Sequence, residues 1–317
     1  MKAVFLDFDT MGGGLDVSPL EKVTPDLKVY DVTGKEQIAK RIRDADIVFT
    51  NKIQLSESLL AAAPKLKFIG LTATGTDNID LETAQKNGIA VANIRAYCTE
   101  SVTEHVFGTL LMLTHSLPLY DRSVNAGEWH ESPDPFLLSH PVRELSAMTL
   151  GIVGFGALGQ GVARIGEAFG MNVIISARPG VSEVATDRVA FGNTLSQADV
   201  ISLHCPLNEQ TENLFGAEEF RKMKNTAILI NTARGGLVDS AALANALRNG
   251  DIAAAAVDVL PQEPPVEGEP LIDYEGDNLI ITPHVAWATN EARQNAIDEL
   301  AANAAAFMAG EKRNRVV

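Results

Sequence analysis

Three segments of this 317-residue chain carry side chains able to grip an anion and move a proton, and each closes a short apolar run. The first is Asn231-Thr-Ala-Arg234-Gly-Gly. An arginine offers a planar fork of donors that matches a carboxylate, and it stays charged at any working pH. The two glycines that follow are expected where backbone must approach something closely. The second segment, Asp258-Val-Leu-Pro-Gln-Glu263-Pro-Pro, sets a carboxylate between prolines that restrict the backbone. Taken alone, with Glu267 and Glu269 nearby, Glu263 reads equally well as a solvated charge. The third segment is Ile281-Thr-Pro-His284-Val-Ala-Trp287-Ala. A lone histidine after a strand is more often structural than catalytic. A carboxylate one connection upstream changes the balance. Bonded to one ring nitrogen, it favours the protonated ring and decides which nitrogen faces a substrate. That makes His284 a candidate general acid. The other histidines lack this context: His105 and His115 fall on a helix, His130 and His140 in an irregular stretch, and His204 at another strand end.

A fourth segment binds rather than reacts. Thr149-Leu-Gly-Ile-Val-Gly154-Phe-Gly156-Ala157-Leu158-Gly159 is a strand running into GxGxxG and then a helix. Gly154 permits the tight turn, Gly156 lets backbone approach a pyrophosphate, and Gly159 lets helix pack closely on strand. The helix amino terminus then presents free N–H groups and a positive dipole end to the phosphates. The motif alone is weak; with these flanks it points to a dinucleotide. In an NAD site the next strand ends in Asp or Glu, which binds the ribose 2′-hydroxyl. Here that position is Ala177, between Ser176 and Arg178. The carboxylate that would repel a 2′-phosphate is missing, while a hydroxyl and a guanidinium that could hold one are present. NADP is therefore expected ahead of NAD.

The elements that must position these residues alternate along the chain. Strands are expected at Ala3–Phe8, Lys28–Asp31, Asp46–Thr50, Lys67–Leu71 and Ala90–Asn93. A second series follows at Thr149–Val153, Asn172–Ser176, Val200–His204, Thr226–Asn231, Ala254–Val259 and Leu279–Thr282. Between them lie helical patterns such as Ser56–Ala63, Leu81–Asn87, Ala157–Phe169, Ser240–Asn249 and Asn290–Ala309. Continuously apolar strands flanked by helices imply parallel sheets covered on both faces. One long amphipathic helix is expected around Cys98–Leu119, with Val102, Val106, Leu110, Leu113 and Leu117 on one face and Thr99 or Ser101 as cap. The stretch Tyr120–Leu145, with Pro133, Pro135, Pro141, Trp129 and Phe136, reads as irregular and as a functional or interface segment. A boundary falls near residue 98, and the last helix, from about Asn290, is expected to return to the first domain.

Composition narrows the partners. A formal charge of −15 argues against a nucleic-acid-binding surface, which would need a basic footprint. No run of 18 apolar residues is present to span a membrane, and Asp7 and Asp9 interrupt the first apolar run, so it does not read as a signal peptide. Cys98 and Cys205 form no CxxC pair and are expected as free thiols in a cytoplasmic protein, with no metal site anticipated.

Taken together, these segments give the chain a clear resemblance to the D-isomer-specific 2-hydroxyacid dehydrogenase family over essentially its whole length. Within that family it is most similar to the glycerate dehydrogenase/hydroxypyruvate reductase branch. The matching segments are Phe5-Leu-Asp, Thr50-Asn-Lys52, Ala73-Thr-Gly75-Thr-Asp-Asn78-Ile-Asp, Glu104-His-Val-Phe, Leu150–Gly159, Asn231–Asp239, Asp258–Glu263 and Thr282–Ala288. The resemblance implies two doubly wound parallel-sheet α/β domains with a cleft between them. A Rossmann cofactor domain (99–288) would be inserted into a flavodoxin-like substrate domain (1–98 plus 289–317), in a homodimer formed through the cofactor domains. It implies that Arg234 holds the substrate carboxylate and keto oxygen, that His284 exchanges the proton, and that Glu263 supports His284. Backbone around Thr74 and Gly75 would bind the carboxylate, and Lys52 would contact substrate. By the same match Thr103, His204, Cys205, Pro206, Thr232, Ala233, Asp258 and Ala286 line the cofactor. The departure is Ala177, where NAD-using members carry an acid.

Two other readings have a foothold. Asp7-Phe-Asp9-Thr10 resembles the DxDxT nucleophile loop of haloacid-dehalogenase-type phosphatases, but neither Gly250-Asp251 nor Gly276-Asp277 has the spacing of the later acidic motif. A nucleotide-sensing, non-catalytic interaction protein on the same scaffold would have no need of Arg234, Glu263 and His284 together. Formate dehydrogenase-like members carry Gln where Glu263 stands.

Overall fold

In the computed structural model, which describes residues 1–181 and 183–317, the apolar runs form two parallel sheets. Contacts divide the chain into two units, Met1–Cys98 with Ala288–Val317, and Thr99–Trp287.

The first unit holds β1 (Lys2–Phe5), β2 (Asp26–Val29), β3 (Ile47–Thr50), β4 (Phe68–Leu71) and β5 (Ala90–Ala92), with helices α1 (Ser18–Val23), α2 (Lys35–Ile42), α3 (Glu57–Ala61) and α4 (Leu81–Lys86). The sheet order is β2-β1-β3-β4-β5. β3, β4 and β5 are buried at every position, as parallel strands covered on both faces must be.

The second unit holds β6 (Thr149–Val153), β7 (Asn172–Ile175), β8 (Val200–Leu203), β9 (Ile228–Asn231), β10 (Ala254–Val257) and β11 (Leu279–Ile281). Its helices are α5 (Thr99–Thr114), α6 (Leu117–Asn125), α7 (Ala157–Ala168), α8 (Phe191–Gln197), α9 (Ala217–Lys222) and α10 (Ser240–Asn249). The order β11-β10-β9-β8-β6-β7 reverses at β6, so the topological switch point lies between the ends of β6 and β8.

The last helix, α11 (Asn290–Met308), belongs to the first unit. It packs on β4 where Gly70 leaves room: a Cβ there would meet Leu300 at 2.6 Å. Phe307 stacks on Phe68 at 4.7 Å between ring centroids.

The single long helix expected around Cys98–Leu119 is instead two, α5 and α6, separated at His115 and Ser116. Ser116 adopts a left-handed φ of 50°, and Pro118 sits in the first turn of α6. Proline lacks the N–H that a continuing helix needs but is tolerated in a first turn, so a new helix starts there. Leu117, placed on the buried face of that helix, is accordingly exposed, whereas Val102, Val106 and Leu110 are buried in α5. Helix α6 also takes the first residues of the stretch read as irregular from Tyr120. Near the amino terminus the strand stops at Phe5, and Phe8–Met11 forms a 3-10 turn.

Candidate active site

Three neighbouring strands of the second unit end in register. Val257 of β10 pairs with Asn231 of β9 on one side and with Ile281 of β11 on the other. Arg234 and His284 each lie three residues past that row, on the two strands flanking β10, with the Glu263 loop leaving β10 between them. Strand spacing puts the backbones of the outer two strands about 10 Å apart at this edge. Two long side chains and an imidazole can therefore converge on one small molecule.

His284 is the most constrained of the three. Its Nδ1 lies 2.5 Å from Glu263 Oε2. An ionised carboxylate only accepts, so Nδ1 carries the hydrogen and Nε2 is the atom left to exchange a proton. The other Glu263 oxygen, Oε1, accepts from the Leu260 N–H at 3.0 Å, which fixes the carboxylate against its own loop. His284 has a φ of 56°, uncommon for a residue with a Cβ, and such strain persists where surroundings impose it. Here they do. The buried Asp258 accepts from Thr282 Oγ1 at 2.6 Å, from Val285 N–H at 2.9 Å and from Ala286 N–H at 2.9 Å. Because Thr282 donates its hydroxyl hydrogen to Asp258, it accepts from His105 Nε2, 3.0 Å away on α5. Indole Nε1 of Trp287 donates back to the His284 carbonyl at 3.0 Å.

Arg234 is set by a separate clamp. Buried Asn231 accepts from the Ala233 N–H at 3.0 Å and donates to the Arg234 carbonyl at 2.9 Å, folding the turn after β9. Gly235 then presses the turn against the Glu263 loop: a Cβ on it would lie 2.0 Å from the carbonyl carbon of Leu260. No side chain fits there.

The cofactor candidates line the same strand edge. Gly154 has a φ of 97°, and a Cβ on it would come within 2.5 Å of His204 and Cys205 backbone, closing the turn at the switch point. Gly159 sits against the Gly154 carbonyl, while Gly156 has open space and, with Ala157, is exposed at the start of α7. Thr103 Oγ1, His204 Nδ1 and Thr232 Oγ1 are enclosed without a hydrogen-bond partner among the described residues. A glycine cradle, an exposed helix start and enclosed polar atoms beside them fit a dinucleotide. His204 also bonds Ser202 Oγ through Nε2 at 2.8 Å, and burial lowers its pKa to about 4, so the ring is neutral at pH 7. Burial raises the Cys205 thiol, and it raises Cys98 to about 11; both cysteines are free. At the end of β7, Ala177 is buried and Arg178 exposed. The Ser176 hydroxyl donates to the Ala177 carbonyl at 2.9 Å.

In the first unit Lys52, Thr74 and Gly75 follow the neighbouring strands β3 and β4. Asp7 is buried, and its carboxylate collects the N–H groups of Asn51 at 3.0 Å, Lys52 at 2.7 Å and Ile53 at 3.2 Å. Asn78 ties the second loop to the first by donating to the Ile53 carbonyl at 3.0 Å, and Asn93 holds the Thr74 carbonyl at 2.7 Å. So engaged, Asp7 is a loop clamp and not an exposed nucleophile. Asp7, Asn231 and His105 are the supporting residues that the sequence alone did not single out for this work. A polar residue at the end of an apolar strand was the signal available for Asp7 and Asn231.

The family model for D-isomer specific 2-hydroxyacid dehydrogenase, NAD binding domain, matches residues 107–286. A glycerate dehydrogenase from Methylorubrum extorquens is 43% identical over 320 aligned residues, covering 99% of this chain and 98% of the relative. Among solved structures, an acyclic imino acid reductase in complex with NADPH and D-arginine superimposes with a TM-score of 0.86 at 29% identity over the whole of both chains. A D-lactate dehydrogenase from Aquifex aeolicus, complexed with NAD and lactic acid, gives a TM-score of 0.82 at 30% identity over 98% of this chain and 96% of that one.

Proposed function

This chain belongs to the D-isomer specific 2-hydroxyacid dehydrogenase family, and on that premise we propose that it interconverts hydroxypyruvate or glyoxylate with the matching 2-hydroxy acid through Arg234, Glu263 and His284. It is a nicotinamide-dependent oxidoreductase that transfers hydride between its cofactor and a small 2-keto or 2-hydroxy acid. The observation that carries the residue assignment is the 2.5 Å bond from His284 Nδ1 to Glu263, two strands from an arginine at the same sheet edge.

Arg234 binds the carboxylate of the keto acid and steadies its carbonyl oxygen. His284 delivers a proton from Nε2 to that oxygen as negative charge grows on it. Glu263 keeps the ring in the one orientation that presents Nε2, and its charge balances the imidazolium. Backbone at Thr74 and Gly75, with Lys52, supplies further ligands for the carboxylate. Gly154, Gly156, Ala157, Leu158 and Gly159 hold the pyrophosphate, and Thr103, His204, Cys205, Pro206, Thr232, Ala233, Asp258 and Ala286 line the rest of the dinucleotide. When bound, the nicotinamide supplies the hydride to the carbonyl carbon.

The cofactor in this reading is NADP ahead of NAD, because no carboxylate stands at Ala177 and Arg178 is exposed beside it. The working form is a cytoplasmic homodimer built on the second unit. Leu117, Trp129, Phe136, Leu138 and Val142, all exposed on that unit, support such an apolar interface, and no described helix is long and apolar enough to cross a membrane. Light scattering of the purified protein checks the dimer.

Initial rates with NADPH and NADH against hydroxypyruvate, glyoxylate and bulkier keto acids, followed at the nicotinamide absorbance, test the reading. Consumption of cofactor with hydroxypyruvate or glyoxylate is expected, faster with NADPH, and Ala177→Asp should move the preference toward NADH. A protein that turns over neither acid with either cofactor contradicts it.

A further inference from the structure

We propose that Arg188 is the second cationic donor for the 2′-phosphate of NADPH, completing a site with Arg178. This rests on the NADP reading of the second unit.

The 2′-position of the adenosine ribose lies beside the end of the strand that follows the glycine loop. That strand is β7. Its end is joined to the segment before α8: Val189 N–H donates to the Ile175 carbonyl at 2.8 Å, and Ala177 N–H donates to the Val189 carbonyl at 2.7 Å. Arg188, the residue before Val189, therefore starts within one residue of the backbone at the end of β7. Its guanidinium carbon lies 4.9 Å from the ring centroid of Phe155, which stands between Gly154 and Gly156. The cation thus bridges the glycine loop and the end of β7, the two elements that flank the ribose.

Its chemistry fits the phosphate. A 2′-phosphate is a dianion near neutral pH and takes paired N–H groups from arginine. Arg188 engages Asp187 through Nε, at 3.3 Å, and its two terminal nitrogens have no hydrogen-bond partner among the described residues. Asp187 is the opposing group: its carboxylate, 69% exposed, sits beside the same guanidinium. Arg178 and Arg188 bring two cations to this segment, against Glu183 and Asp187, in a chain with a formal charge of −15. A guanidinium that served only to pack on Phe155 would act on every nucleotide alike. One that holds the 2′-phosphate discriminates.

The test is binding, read by fluorescence titration of cofactor-free enzyme with NADPH, NADH, adenosine 2′,5′-bisphosphate and 5′-AMP. Wild-type protein should bind NADPH and the bisphosphate more tightly than their counterparts lacking the 2′-phosphate. Arg188→Ala should weaken NADPH and the bisphosphate by about 10- to 100-fold, the size of a lost charge-assisted bond, and leave NADH and 5′-AMP nearly unchanged. Arg188→Lys, which keeps the charge without the fork, should fall between. Circular dichroism confirms that each variant is folded. Equal weakening of all four ligands, or of none, overturns the assignment. The unmutated protein reports separately on the NADP reading: tighter binding of NADH than NADPH removes that reading and this site together. Wild-type NADPH preference that survives in Arg188→Ala but is lost in Arg178→Ala removes Arg188 alone.

Discussion

The peptide N–H of His284 donates to the carbonyl oxygen of Asp258 at 2.8 Å, while the carboxylate of the same aspartate holds the N–H groups of the next two residues. One buried side chain thus imposes the left-handed backbone that aims the imidazole.

Replacing Asp258 by Asn keeps the shape but leaves one of those donors facing an amide N–H₂. An unsatisfied buried donor costs about 1–3 kcal/mol, and a loop displaced by even an ångström can lower a rate by about 10²-fold. Asp258→Asn is expected to lower the urea midpoint and kcat together. A variant with both unchanged would show that the loop is held by something else.

Asp7 plays the corresponding part in the first unit, where three consecutive N–H groups converge on its carboxylate. Asp7→Asn should destabilise the chain by about 1–3 kcal/mol. It should also raise KM for the keto acid, since the loop it clamps carries Lys52, and leave NADPH binding as it was. A rise in the NADPH Kd equal to the rise in KM would contradict a substrate-side role.

Burial holds the His204 pKa down to about 4. The unfolded chain, with an ordinary imidazole near pH 6.5, takes up that proton first, so this contribution to stability is present above about pH 6.5. It is lost as the pH falls from there to about 4. His204 keeps some exposed surface, so a loss of about 2 kcal/mol at pH 5 is an upper bound. Urea midpoints at pH 7 and pH 5 should separate less in His204→Asn than in the wild type. Equal separation in the two proteins would mean that His204 does not contribute to acid sensitivity.

Much of this architecture is legible in the residues. The inner strands of both sheets announce themselves because they are buried on both faces, and Ile-Leu-Ile-Asn or Ile-Val-Phe-Thr needs no partner to be recognised. Their ends were less clear, since apolar residues such as Val259 continue past the last paired position. The break between α5 and α6 turns on Pro118, which a reading of apolar spacing alone passes over. At the site, Arg234, Glu263 and His284 stand out by type and by their place after strands. Asn231 and Asp7 do not, because a buried acceptor that gathers N–H groups has the same one-letter identity as a solvated surface residue. Nor could sequence tell which way the Ser176 hydroxyl points, or that Arg188 is carried back to the end of β7 by a bridge at Val189. Those facts depend on contacts between segments far apart in the chain.

His284 is the proton donor on which the proposed reaction depends, and single-turnover reduction of hydroxypyruvate by NADPH-loaded His284→Ala enzyme tests that role most directly, with NADPH affinity measured on the same protein. The rate is expected to fall by about 10²- to 10⁴-fold while the cofactor Kd changes little. Turnover at the wild-type rate would contradict the assignment.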